Sequence, residues 1–229
     1  MSSRDAILGR IRRSLGASGT DATRLATVRH RLAETPVNVI PARGQLPDAE
    51  RLALFVRKAG EVFATVVRLD SRDDIPSAVA DYLRARNLPQ AIRHGDDPRL
   101  ANVPWGREAQ LSVTTGPSAG QDLVGLSHAD AGVAETGTVV LTSGADNPTT
   151  LNFLPDHHIV VVDASTVAGD YETVLADLRR RFGAGVMPRT VNLITGPSRS
   201  ADIEETLLLG AHGPRSLHIL MVEPSQCRS

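Results

Sequence analysis

The residues best able to do chemistry stand close together between Ala129 and Asp163. Ala134-Glu135-Thr136-Gly137-Thr138 comes first, followed by the apolar run Val139-Val140-Leu141. A polar segment from Thr142 to Thr150 then precedes a second apolar run, Ile159 to Val162. Short apolar runs bounded by Gly and Pro read as buried strands, and polar side chains gathered where such strands end commonly line an α/β site. Gly137 can adopt backbone angles closed to other residues, bringing amide N–H groups near a ligand, while the hydroxyls of Thr136 and Thr138 can donate to an oxyanion. Glu135, at the edge of that cradle, has two readings. It is a carboxylate that binds a ligand or serves as nucleophile or base, or a turn residue that caps backbone donors or pairs with an arginine.

A second polar word, Thr195-Gly196-Pro197-Ser198, follows an apolar run and opens what reads as a helix to about Leu209. The free amides and positive dipole end of such a helix would face a phosphate or carboxylate. No Gly-Lys-Ser/Thr follows, so this is not a Walker loop. Asp202 and Glu205 have cap spacing. His212 lies after the expected helix, where it either meets free carbonyls or holds a substrate oxygen. Ser143 and Gly144 end a strand, in a loop long enough for a lid or contact surface, but no base for Ser143 is indicated. The histidines make no metal site: His157 and His158 are adjacent and would point to opposite faces, and His128 with Asp130 reads as a surface pair.

These words need a frame, and alternating patterns supply one. Helices are expected from about Leu46 through Ala59, from Asp74 to Arg86 with Pro76 in the first turn, and from Tyr171 to Phe182 with Asp170 as cap and Arg179 to Arg181 at the carbonyl end. Strands are expected within Val62 to Leu69, Gln90 to Arg93, Gln110 to Thr114, Val191 to Ile194 and Leu217 to Val222. Strands interleaved with helices imply an α/β fold with a largely parallel sheet covered on both faces. The division expected is an N-terminal amphipathic helix and loosely attached arm over residues 1–45, then an α/β domain over 46–229. The first eighteen residues also have the Arg- and Ser-rich look of a transit peptide, which Asp5 opposes.

With 25 basic and 26 acidic side chains and 41% hydrophobic residues, the chain has an ordinary soluble composition and no bulk field for nucleic acid or an anionic membrane. No apolar run is long enough for a membrane span. The one cysteine, Cys227, can neither close an internal disulfide nor hold an iron–sulfur cluster alone. A reducing, cytoplasmic setting is expected, with no cofactor identified for this chain.

Taken in order, Ala129 to Thr138, Leu154-Pro155-Asp156-His157-His158, Thr195 to Ser198 with Ala201-Asp202-Ile203-Glu204, and His212-Gly213-Pro214 resemble the lactate-utilization domain family over about Val62 to Glu223. The resemblance implies a three-layer α/β/α fold similar to the CoA transferases, ribose-5-phosphate isomerase and glucosamine-6-phosphate deaminase. It also implies work beside a cysteine-rich and an iron–sulfur partner in oxidising L-lactate to pyruvate, with the clusters in the partners. It carries no settled catalytic residue. The expected site is therefore an anion-sized pocket between the Glu135 to Thr138 bend and the Thr195 to Ser198 bend, with Ser143, Gly144 and His212 as further ligand contacts. The alternative is a stand-alone enzyme on the same fold, acting on a thioester, phosphosugar or folate-type ligand, with Glu135 as nucleophile or base.

Overall fold

In the computed structural model, residues 3–16, 19–34, 39–183, 185–201, 207–210 and 212–223 are described. Two compact units divide the chain, Met1–Val39 and Ile40–Ser229. The first carries helices α1 (Ser3–Ser14) and α2 (Ala22–Ala33), neither with a buried residue. Asp21 caps α2 by accepting from the Arg24 amide, so part of the expected arm is regular helix.

The second unit runs α3 (Asp48–Glu61), β1 (Thr65–Leu69), α4 (Ile75–Ala85), β2 (Ala91–His94), α5 (Pro98–Ala101), β3 (Ser112–Thr115), β4 (Val124–His128), β5 (Ala131–Val133), β6 (Thr138–Thr142), α6 (Thr149–Phe153), β7 (His157–Asp163), β8 (Val167–Ala168), α7 (Tyr171–Phe182), β9 (Val191–Ile194), β10 (Arg199–Ala201), β11 (Leu207–Leu209) and β12 (Ser216–Val222). Six strands form a parallel sheet in the order β1-β12-β7-β4-β2-β3. Both faces of its centre are covered, which is why β7 and β12 are almost continuously apolar. Successive side chains point to opposite faces. Val160, Val162, Ile219 and Met221 therefore pack with Phe55 and Ala59 of α3, while Ile159, Val161 and Leu220 pack with Ile75, Val79 and Leu83 of α4.

The fold is the expected α/β class, with one addition. The face shared with α3 also carries a four-stranded sheet, β8-β5-β6-β9, in which β6 is antiparallel to both β5 and β9. One side of β6 sends Val139 and Leu141 to the core beneath α3, and the other sends Val140 against Val174 and Leu178 of α7. α7 begins at Asp170, which accepts from the Thr173 amide as its spacing predicts.

The unit after β9 differs from expectation. Where a helix is predicted from Ser198, the chain forms the antiparallel pair β10–β11, with Arg199 opposite Leu209. The local pattern of apolar residues suits helix and short strand alike, and pairing across the hairpin decides. The cap proposed at Asp202 and Glu205 lies outside the described residues. Among those described, no helix is long and apolar enough to cross a membrane.

Candidate functional site

The two polar bends do meet. Thr138 Oγ1 stands 2.7 Å from Thr195 Oγ1 and 2.8 Å from the Tyr171 hydroxyl. Thr136 Oγ1 joins them at 2.7 Å from Thr138 and 3.0 Å from Tyr171. Yet these hydroxyls satisfy one another, and two of the bend's amides are already used. Gly137 N–H donates to Val133 O at 2.9 Å, and Glu135 N–H to Gly169 O at 3.2 Å.

Among the described residues, the end of α3 lies against both bends. Gly137 (φ +68) and Gly196 (φ +74) both need left-handed backbone, and a Cβ on either would overlap helix backbone: Ala59 N at Gly137 and Val62 O at Gly196. These glycines admit a helix at close range. The anion cradle expected at Gly137 is thus occupied by protein, and the helix dipole expected beyond Ser198 is replaced by β10. Glu135 is nearly buried, with a side chain 4% exposed and Oε2 3.2 Å from Arg43 Nη2, but that oxygen accepts no hydrogen bond.

Ser143 and Gly144 sit at the far end of β6. The strand's five residues span about 17 Å at roughly 3.3 Å each, which removes them from the Thr138 bend. Ser143 Oγ accepts from Thr190 N–H at 2.9 Å, and Gly144 N–H donates to Asn147 O at 3.3 Å. Ser143 ties the loop to the segment before β9, and Gly144 serves the loop's own backbone.

A space available to a ligand opens on the other side of the Thr195 bend. A cavity of about 410 Å³ is lined by Thr195, Gly196, Ser198 and His212, together with Asn152 of α6, His158 of β7 and Asn192 of β9. The exposed His212 holds its place by donating its backbone N–H to Ser198 Oγ at 3.3 Å. Deeper in, Ser127 Oγ donates to Asn152 Oδ1 at 2.9 Å and lies 3.0 Å from His158 Nε2. With the Asn152 amide in this orientation the serine's proton goes to Asn152, and His158 Nε2 is then the donor. Burial holds the imidazole neutral, lowering its pKa to about 3.

Three buried atoms of its lining residues have no hydrogen-bond partner in the protein: Asn152 Nδ2, His158 Nδ1 and Asn192 Nδ2. Their residues are 1%, 1% and 8% exposed. Buried polar groups are almost always paired, and one left without a partner costs about 1–3 kcal/mol. All three belong to residues that line the cavity, while the atoms themselves lie beneath its accessible surface. Sequence reasoning singled out the rim (Thr195, Gly196, Ser198, His212) and Asn152 as a neutral hydrogen-bonding side chain, but not Asn192 or a ligand role for His158. The available signal was a polar residue inside an apolar strand, as in Val191-Asn192-Leu193-Ile194.

A charged cluster at the carboxyl ends of the parallel strands also escaped the sequence reading. Arg72 Nη2 lies 2.6 Å from both Asp163 oxygens and 3.2 Å from His128 Nε2. His128 Nδ1 faces Ala129 O at 2.8 Å, so Nδ1 carries the proton and Nε2 accepts from Arg72. Arg99 chelates Asp97, and Arg181 Nη1 donates to Asp130 at 2.7 Å. His128 and Asp130 are therefore not a surface pair: the side chains are 0% and 6% exposed. Burial and Arg99 lower the His128 pKa. Burial pushes Asp130 up, but Arg181 and the Thr142 hydroxyl and amide outweigh it and hold the carboxyl below its usual range. The cluster flanks the point between β2 and β4 where the connections reverse direction, the place where open α/β sheets usually bind ligands. Here opposite charges are matched, so it braces the sheet end. Among the described residues, no three His, Cys, Asp or Glu side chains are grouped to hold a metal ion.

The chain is similar to known proteins over this same region. Lactate utilization protein C of Geobacillus kaustophilus is 34% identical over 144 residues, 56% of this chain and 60% of the relative. The protein YkgG of Escherichia coli is 30% identical over 192 residues, 78% of this chain and 82% of its own length. For several other relatives the shared span is 42% to 60% of their length. A crystal structure of a DUF162 family protein from Deinococcus radiodurans superposes with a TM-score of 0.52 at 24% identity, covering 77% of this chain and 99% of that one, a likeness of fold. The LUD domain model matches residues 52–222, from α3 to the last strand of the parallel sheet. That span contains every wall of the cavity, and the chain belongs to the LUD domain family.

Proposed function

We propose that this chain acts in lactate utilization as a cytoplasmic subunit beside iron–sulfur and cysteine-rich partners that oxidise L-lactate to pyruvate, and that its own contribution is ligand binding in the 410 Å³ cavity. The name carried by relatives such as that of Geobacillus kaustophilus supports the pathway. One observation carries the site: a cavity of ligand size brings Thr195, Gly196, Ser198 and His212 together with Asn152, His158 and Asn192 from α6, β7 and β9. Of the other candidate contacts, Thr136 and Thr138 act by positioning Thr195 through their hydroxyls, and Gly137 by admitting α3. Ser143 and Gly144 shape a loop at the far end of β6 and would meet a partner protein. Deletion of the gene should abolish growth on L-lactate and spare growth on glucose, with restoration by the wild-type chain but not by Asn192→Leu. Normal lactate growth of the deletion strain would refute the reading.

A second reading, a stand-alone enzyme with Glu135 as nucleophile or base, draws on the buried Glu135 oxygen that accepts no hydrogen bond. For that role Arg43, 63% exposed, would have to swing away and admit a substrate. Turnover by the purified chain that disappears in Glu135→Gln would establish it.

A further inference from the structure

One residue beside the cavity stands where its own backbone argues against it. At the end of α3 the Phe63 N–H donates to Gly60 O and the Ala64 N–H to Ala59 O, both at 3.0 Å, which is the bond pattern of a Schellman turn. The left-handed position of that turn is usually glycine, because a Cβ there is strained. Here it holds Phe63 at φ +69, with the side chain 61% exposed. Neither backbone nor burial favours phenylalanine at this place. What the ring does is carry Arg199, whose guanidinium lies 5.3 Å from its centre.

Arg199 is exposed and lines the cavity, and among the described residues it is the one formally charged side chain in that wall. No carboxylate stands beside it there, and burial keeps His158 neutral. A cation entering would lose hydration without gaining a counter-ion, whereas an acid group meets Arg199 at the rim. The rest of the lining selects for an apolar body. Phe153 and Leu193 are 42% and 48% exposed around the opening, and Pro197, Pro214 and Leu217 are buried in the wall. About 410 Å³ falls within the roughly 300–1,000 Å³ used by ligands much larger than a three-carbon acid.

Resting on the reading of this cavity as the ligand site, we infer that it binds an amphipathic carboxylate, the acid group held by Arg199 and the apolar body by Phe153 and Leu193. Phe63 is then a positioning residue, the platform that keeps Arg199 at the rim. Straight-chain and aryl acids share this chemistry, and two probes separate them.

The test is calorimetric titration of the full chain with octanoate and 2-naphthoate. Octanol supplies a body without the charge, and L-lactate the charge without a body. Saturable binding of at least one acid is expected, octanoate alone indicating a chain and 2-naphthoate alone a ring, with octanol and L-lactate about tenfold weaker or worse. Arg199→Gln should lower the affinity for the acid about tenfold and leave octanol unchanged. Phe63→Gly should weaken the acid by about threefold yet melt no lower than the wild type, since glycine suits the left-handed turn. A purely structural role for Phe63 would instead lower the melt and spare binding. Absence of saturable binding by both acids, octanol binding as well as octanoate, or unchanged acid binding in Arg199→Gln would overturn the assignment. If no acid bound while Asn192→Leu still failed to restore lactate growth, the cavity would keep its role with a different guest, so the two ideas fail separately.

Discussion

Asn192→Leu tests the central claim through stability alone. Asn192 lies on β9 opposite Leu141, is 8% exposed, and leaves its Nδ2 without a partner. Leucine has similar bulk, suits a strand flanked by the apolar walls of the cavity, and carries no group to desolvate. If the amide nitrogen is buried and unpaired in the empty protein, its replacement recovers about 1–3 kcal/mol. For a chain of this size each kcal/mol moves the melting temperature by about 2–4 °C, so the variant should melt roughly 2–12 °C higher. The assay is thermal unfolding of ligand-free wild type and variant, beside growth complementation on L-lactate. A stabilised protein that no longer supports lactate growth is the signature of a binding group kept against stability. A melting temperature unchanged or lowered would mean that the nitrogen is already satisfied, and the argument from unpaired groups would fail.

Three further outcomes follow from the same geometry. Gly137→Ala would place a Cβ against the Ala59 backbone at a left-handed residue and should destabilise by about 3 kcal/mol, lowering the melting temperature; an unchanged melt would restore a ligand role for that glycine. Asp170→Ala removes the α7 cap and the 2.7 Å bond from Gln45 Nε2, for a loss of about 1 kcal/mol or more in urea unfolding. Burial lowers His158 to about 3 and His218 to about 4 from 6.5. Between those values the unfolded chain binds the extra proton, so their contribution is complete above pH 6.5 and is lost as pH falls toward 4 and 3. From pH 6.5 to 5 each histidine should cost about 2 kcal/mol, and His158→Gln should flatten that slope in urea unfolding; an identical slope would contradict it.

Much of the frame was legible because it rests on local signals. α7 is written in Asp170, the spacing of Val174 and Leu178, and the arginines of its last turn. β7 and β12 are written in apolar runs that need no partner to be recognised. The β10–β11 hairpin was not legible, because Thr-Gly-Pro-Ser followed by alternating polar and apolar residues opens a helix or a hairpin equally well. The bends at Thr138 and Thr195 were rightly suspected of meeting, but for an anion. Their hydroxyls instead close on each other and on Tyr171, and α3 takes the space that the glycines leave.

By itself the sequence determined the class of fold, the parallel sheet and the polar words at its edges, because hydrophobic periodicity, caps and turn residues act over a few neighbours. Only the tertiary structure decided which polar residues share a cavity. Asn152, His158 and Asn192 come from α6, β7 and β9, and no spacing along the chain joins them. Their lack of partners is likewise a property of the packed interior: any of the three would be hydrated in the unfolded chain, and burial alone leaves them unpaired.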